Sequence, residues 1–203
     1  MMKMVSEIKR LSGGRCLIEL EDGSSFPLYT RELAVYGIEE ENELPENVYG
    51  QLMQEILPKR ARLKAMHLLE KMDRTEYQLR SRLISLSYPE CIVEDAVSYV
   101  KQYHYVDDLR YAVSYMEFRK DKKSMRQVLQ ELRLKGVSSE ILEEARQQVE
   151  LPDEEHQIRS WIEKKHYVPE TAGKKDTDRM YRFLVGKGYS ISAITHVLRT
   201  EIL

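Results

Sequence analysis

Read as a pattern of apolar and polar positions, the chain changes character near residue 59. Before it, short apolar-rich runs are bounded by turn residues, the mark of strands. After it, apolar residues recur at spacings of three and four, the period of a helix with one buried face. The helical part also repeats itself. Leu83, Leu132 and Leu184 fall in one column, 49 and 52 residues apart, and Val93, Leu142 and Ile194 fall in another with the same separations. Equivalent corners lie between the columns: Ser87-Tyr88-Pro89, Gly136-Val137-Ser138 and Gly188-Tyr189-Ser190. Such a period marks stacked supersecondary units, each too small to bury its apolar face alone. Leading helices at Lys59–Met72, Asp108–Arg119 and Asp153–Lys165 complete the units. The pattern therefore predicts a mainly α chain, a tandem array of three three-helix repeats over residues 58–106, 107–150 and 151–203. A small N-terminal module containing a β-hairpin, residues 1–57, precedes them.

Within that module, Arg15–Leu20 and Ser25–Tyr29 read as strands joined through Asp22-Gly23, a strong hairpin signal. Val5 to Arg10 supplies a third strand, reached through Ser12-Gly13-Gly14. Pro27 cannot donate to a ladder, so its strand is expected at an edge. Thr30 is expected to cap a short helix that stops at Gly37. A helix from about Pro45 to Leu57 follows the acidic connector Glu39-Glu40-Glu41-Asn42-Glu43, with Pro58 limiting its extension. The module's expected role is a packing cap on the first repeat.

The most informative stretch is Val100 to Gly136. Asp107-Asp108 stands where a helix begins, where carboxylates complement the positive end of the dipole. Tyr111, Ala112, Tyr115, Met116 and Arg119 then share one helical face. Ser124-Met125-Arg126-Gln127 has the S-x-x-Q form of a capping box, and Gly136 closes the helix that it opens. Tyr103, Tyr105, Tyr111 and Tyr115 are of a type that anchors interfaces and stacks on bases, but their spacing also suits filling the seam between helices, which is the expectation taken here.

These residues resemble the RecX family of bacterial regulatory proteins. The carriers are Tyr105-Val106-Asp107-Asp108, Arg110-Tyr111-Ala112, Tyr115, Arg119, and Gln130 through Lys135-Gly136 with its trailing helix. The similarity covers about residues 59–203 and leaves the first 57 outside it. It implies a regulator that binds the nucleoprotein filament of the RecA recombinase and modulates strand exchange and ATP hydrolysis. In that family an elongated, curved helical array lies along the filament groove. ATP would then be hydrolysed by RecA and not by this chain. The third unit departs from the pattern. Its first helix carries Trp161 but no Tyr-x-Asp-Asp lead-in, and Lys165 to Lys175 reads as a loop.

Composition narrows the field. No apolar run approaches the length of a membrane span, and charges occupy the place of a signal peptide's apolar core. Cys16 and Cys91 form no disulfide framework or metal spacing and are expected to be two buried thiols in a reducing cytoplasm. The net charge is −2, too small for a protein that simply coats nucleic acid. Its distribution alternates: residues 1–57, 58–90, 91–118, 119–135, 136–157 and 158–203 carry −6, +4, −3, +5, −6 and +4. Blocks of this kind suit a partner surface of mixed charge, and equally a set of solvated helix faces.

No catalytic, cofactor or metal constellation is found. Gly186-Lys187-Gly188 lacks the strand and spacing of a phosphate cradle, and His67, His104, His156, His166 and His196 are scattered. The chain is therefore read as a non-enzymatic regulator without cofactors: a cytoplasmic monomer, its partner the RecA filament, with weak DNA contact and no membrane. Arg119, Lys122, Lys123 and Arg126 are the candidate contacts to filament or DNA, since a basic corner suits phosphates or an acidic surface. Arg110 and Tyr111 accompany them, with Arg80 and Arg82 as secondary candidates. The alternative is a direct DNA-binding transcription regulator of helix-turn-helix type, with recognition helices after Pro89, Ser138 and Ser190. The second of these is acidic, the wrong sign for reading a groove. A solenoid scaffold for an unrelated partner is a third reading.

Overall fold

Tight turns at residues 12–14 and 21–24 fold the N-terminus into a meander, as their glycines predict. The computed structural model describes residues 3–169 and 171–198. Strands β1 (Lys3–Leu11), β2 (Arg15–Leu20), β3 (Ser25–Tyr29) and β4 (Glu43–Leu44) form an antiparallel sheet in the order β3-β2-β1-β4. Ile8 pairs with Ile18, which pairs in turn with Phe26. Pro27 lies on an edge strand, as expected, and the short strand β4 was not foreseen. Helix α1 (Thr30–Tyr36) starts one residue earlier than a Thr30 cap would give. Its N-cap is Tyr29, whose backbone N–H donates to the Glu32 carboxylate at 2.8 Å.

Pro58 does not limit the helix before it. Helix α2 (Glu46–Gln51), a π segment (Leu52–Ile56) and helix α3 (Leu57–Lys71) follow without a break, and Gln51, Leu52, Ile56 and Leu57 all keep right-handed helical backbone. An interior proline would clash with the carbonyl four residues back. Here the turn before it is widened, with the Leu57 N–H reaching the Leu52 carbonyl, five residues away, so the helix absorbs the ring as a π-bulge.

Helices α4 (Glu76–Ile84) and α5 (Glu90–Gln102) complete the first compact unit, Met1–Asp107. Its core is continuous. Val5, Ile18, Phe26 and Leu28 of the sheet share one cluster with Leu57, Ala61, Leu83, Val93 and Val97 of the helices. The N-terminal module thus packs as a cap on the first three-helix unit.

The second compact unit, Asp108–Leu203, contains α6 (Asp108–Arg119), α7 (Met125–Leu134), α8 (Ser139–Gln147), α9 (Glu154–Lys164), α10 (Lys174–Gly186) and α11 (Ile191–Leu198). It has two separate cores, one around Met116, Val128 and Leu132 and one around Ile158, Leu184 and Ile194. The expected loop in the third unit is present between α9 and α10, while residues 199–203 of the expected third repeat lie outside the described residues.

The three corners share one geometry. At each, the helix ends in a Schellman motif: Tyr88, Val137 and Tyr189 donate backbone bonds of 3.4, 3.1 and 3.4 Å to Leu83, Leu132 and Leu184. The intervening Ser87, Gly136 and Gly188 have φ of 67°, 86° and 82°. Both predicted apolar columns are buried, none of the six residues exceeding 2% exposure. One cysteine differs from expectation: Cys16 is buried on the inner face of β2, whereas Cys91, in the first turn of α5, is exposed.

Candidate functional site

Around the basic corner the chain leaves α6, turns at residues 120–124 and enters α7. Tyr111 and Tyr115, four residues apart on α6, stack with centroids 6.1 Å apart and planes inclined by 15°. Both pack against the second core, as the seam reading expects. The Tyr115 hydroxyl donates to Glu131 on α7 at 2.7 Å, and the same carboxylate holds the Lys123 ammonium. Burial, reinforced by the Glu131 charge, pushes the Tyr115 phenol up to about 12. Lys123, with Tyr115 assisting, holds Glu131 below the usual carboxylate range.

Aromatic rings carry three further cations. The Arg119 guanidinium lies 5.5 Å from the ring centres of both Tyr115 and Phe118, Lys122 lies 4.5 Å over Phe118, and Lys135 lies 5.4 Å over Tyr115. Such contacts align a cation without neutralising it. Arg126 is exposed in the first turn of α7, and Arg110 is exposed on α6. The structure therefore gathers Arg119, Lys122, Lys123 and Arg126 at one corner, but gives Lys123 an internal acid.

The third unit pins this corner. Ser124, fully buried at the α7 N-cap, accepts from the Gln127 N–H at 3.3 Å and donates to the Lys187 carbonyl at 2.6 Å. The Gln157 amide of α9 donates to the Lys120 carbonyl. Gly188 fits closely here: a Cβ on it would lie 2.9 Å from the Ser124 hydroxyl and 3.3 Å from Arg126 Cβ.

Arg80 and Arg82 lie apart from this arrangement in sequence and in packing unit. Arg80 clasps Glu94 through two bonds of 2.6 and 2.9 Å and Glu76 through one of 2.9 Å, tying α4 to α5. Arg82 is exposed, with its guanidinium 3.3 Å from the Ser85 hydroxyl.

The seam expectation fails for one aromatic group, and a second aromatic pair was not foreseen. Tyr103 and Tyr105 do not fill a seam; they are 54% and 50% exposed and continue a ladder from Tyr99, with centroids 5.0 and 6.2 Å apart. Trp161 and Phe183 meet edge to face at 5.4 Å, with Lys187 4.9 Å over the indole. The advance signal was the aromatic spacing, which shows neither that Tyr103 and Tyr105 lie past the end of α5 nor which rings face solvent. Among the described residues, no group of three or more His, Cys, Asp or Glu side chains is placed to hold a metal ion. No helix there is long and apolar enough to cross a membrane.

Comparison with known proteins matches the three helical units one by one. The family models for the first, second and third three-helix domains of RecX match residues 61–99, 107–145 and 153–198. Regulatory protein RecX of Clostridium perfringens (strain SM101 / Type A) is 22% identical over 196 residues, 95% of this chain and 92% of that protein. Regulatory protein RecX of Vibrio campbellii is 32% identical over 68% of this chain and 88% of its own length. A crystal structure of regulatory protein RecX superposes with a TM-score of 0.62 at 21% identity, covering 98% of this chain and all of that one. A RecX structure from Lactobacillus salivarius gives 0.59 at 19% identity, over 70% of this chain and 95% of the other. These likenesses share the fold described above. With three successive domain matches spanning most of its helical part, the chain belongs to the RecX family of regulatory proteins.

Proposed function

We propose that this chain binds the nucleoprotein filament of the RecA recombinase and inhibits its ATPase and strand-exchange activities by occupying the filament groove. The observation that carries this reading is the tandem of three RecX three-helix domains. Bridging neighbouring recombinase subunits would block the access of duplex DNA. The repeats in this reading are residues 58–106, 107–150 and 151–203, acting as a cytoplasmic monomer with weak DNA contact of its own. ATP turnover belongs to the recombinase.

Arg119, Lys122 and Arg126 are the contacts the geometry favours within the candidate set. Among the described residues none of the three is ion-paired with a carboxylate, although the Arg119 charge also bears on Glu131, and the first two are aligned by aromatic rings. Lys123 and Arg80 are weighted towards holding their own helices together. The transcription-regulator alternative is opposed by α8, which exposes Glu140, Glu143 and Glu144 where a groove-reading helix needs cations.

The test is a RecA ATPase and strand-exchange assay on single-stranded DNA, with and without this protein. Inhibition that needs RecA and ATP is expected, and it should weaken about tenfold in a Lys122→Glu, Arg126→Glu double variant. No effect of the wild type on either assay at saturation would reject the reading. Normal inhibition by the double variant would reject the site alone.

A further inference from the structure

The first compact unit contains a groove that none of the family's three-helix domains accounts for, since one of its walls is strand β3 and its end. The opposite wall is α3, where Arg60, Leu63, Lys64 and His67 follow one another at helical spacing along a single stripe. The cavity is about 290 Å³. Sites for small organic ligands begin at about 300 Å³ and enclose what they bind, so this one suits a side chain or two projecting from a larger partner.

Its lining has a definite chemistry. Leu63 is 59% exposed and Tyr29 36%, a pair of apolar surfaces facing solvent with Pro27 and Leu28 beneath. Arg15 and Lys64 contribute cations with no carboxylate partner among the described residues, the Arg15 Nε meeting only the Ser12 carbonyl at 3.3 Å. Arg60 is paired with Glu32, and His67 stands 3.4 Å from Glu70. No carboxylate lines the groove itself. Arg60 and Arg15 also bear on the Tyr88 phenol at its base, where burial is the larger influence.

We propose that this groove is a docking site for an acidic peptide segment of a partner protein, with an apolar side chain seated against Leu63 and Tyr29 and flanking carboxylates on Arg15 and Lys64. Charge complementarity gives the sign of the partner, and the aliphatic wall gives its anchor. A nucleic acid fits less well. Single strands bind by stacking bases on open aromatic faces, and here the Tyr29 ring is already attended by Arg60 at 4.9 Å and Arg31 at 5.6 Å, while Tyr88 is 9% exposed. The −6 charge of residues 1–57 would also repel a long polyanion more than a short acidic segment. The site goes beyond the recombinase reading and does not depend on it.

Fluorescence anisotropy on the full chain tests this, with a labelled peptide of repeating Glu-Glu-Leu as probe, a Glu-only peptide and an oligothymidylate as comparators. Saturable binding of the Glu-Glu-Leu peptide is expected, weaker binding of the Glu-only one, and a loss of about tenfold or more in each of Lys64→Glu and Leu63→Asp. Both positions reach the surface, so thermal melting should show the variants folded; a Lys174→Glu control, at an exposed lysine outside every candidate contact, should bind as wild type. Amide shifts at Arg15, Leu63 and Lys64 on adding the peptide would give the same answer without substitution. Absence of saturable peptide binding overturns the proposal, as does binding unchanged in both variants. Preferential binding of the oligothymidylate, lost in Lys64→Glu, would overturn it in favour of a nucleic-acid site.

Discussion

Ser87 occupies a backbone position that its two counterparts, Gly136 and Gly188, give to glycine. All three are left-handed, and only Ser87 carries a Cβ there, at φ 67°. That conformation costs a residue with a side chain about 1–2 kcal/mol. Ser87→Gly should therefore stabilise the protein by up to about 1 kcal/mol, the extra freedom of glycine in the unfolded chain offsetting the rest. Urea unfolding checks this, and a lowered midpoint would contradict the strain account. At Tyr115 the prediction concerns pH. The folded state holds the phenolic proton more tightly than the unfolded chain, with a pKa raised to about 12 against an ordinary value of about 10. Its stabilisation is thus complete below the unfolded value and drains away as pH climbs from there through the folded value. Tyr115→Phe should remove that component of the alkaline loss while costing about 1 kcal/mol at neutral pH for the lost Glu131 bond. An identical alkaline profile in the variant would mean that another group governs it.

Among elements, the joint between the α6–α7 corner and the third three-helix unit is the one whose loss should be felt at a distance. Ser124 does two tasks there, capping α7 and donating to the Lys187 carbonyl. Removing an N-cap hydroxyl costs about 1 kcal/mol, and leaving the part-buried Lys187 carbonyl without its donor costs about 1–2 kcal/mol more, short of the full penalty for a buried group. Ser124→Ala is expected to destabilise by about 2–3 kcal/mol, with faster amide exchange at both the start of α7 and the end of α10. Faster exchange at α7 alone would reduce Ser124 to a local cap. Only half of this element could be read in advance. The S-x-x-Q spacing marks the cap because the bond is local, whereas Lys187 lies 63 residues away and contributes a backbone atom, which no side-chain pattern announces. The same limit explains Pro58. Its ring argues for a helix end on local grounds, and the widened turn that accommodates it is set by the burial of Leu52 and Leu57 in the tertiary core.

Across the whole chain, the repeat was legible because burial imposes it: Leu83, Leu132 and Leu184 must each fill a core at the same offset from a corner, so the columns survive in the residues themselves. The extent of each core was not legible, because apolar strands and apolar helices carry no label of what they face. The structure divides them unequally. The first core draws on residues from Val5 to Val106, while the other two begin at Ala112 and Ile158. Removal of residues 1–44 would strip Val5, Ile18, Phe26, Leu28 and Leu44 from the first, all of them at or below 2% exposure. Each large apolar side chain lost from a core costs roughly 2–5 kcal/mol, and several together exceed the roughly 5–15 kcal/mol that holds a typical domain folded. The truncated chain should therefore lose amide protection in α4 and α5, far beyond the deleted segment, while α7, α8 and α10 keep theirs. Hydrogen exchange read by mass spectrometry resolves the two regions. Protection retained in α5 would show that the first three helices hold a core of their own, and the sheet would then be an accessory to that unit instead of half of it.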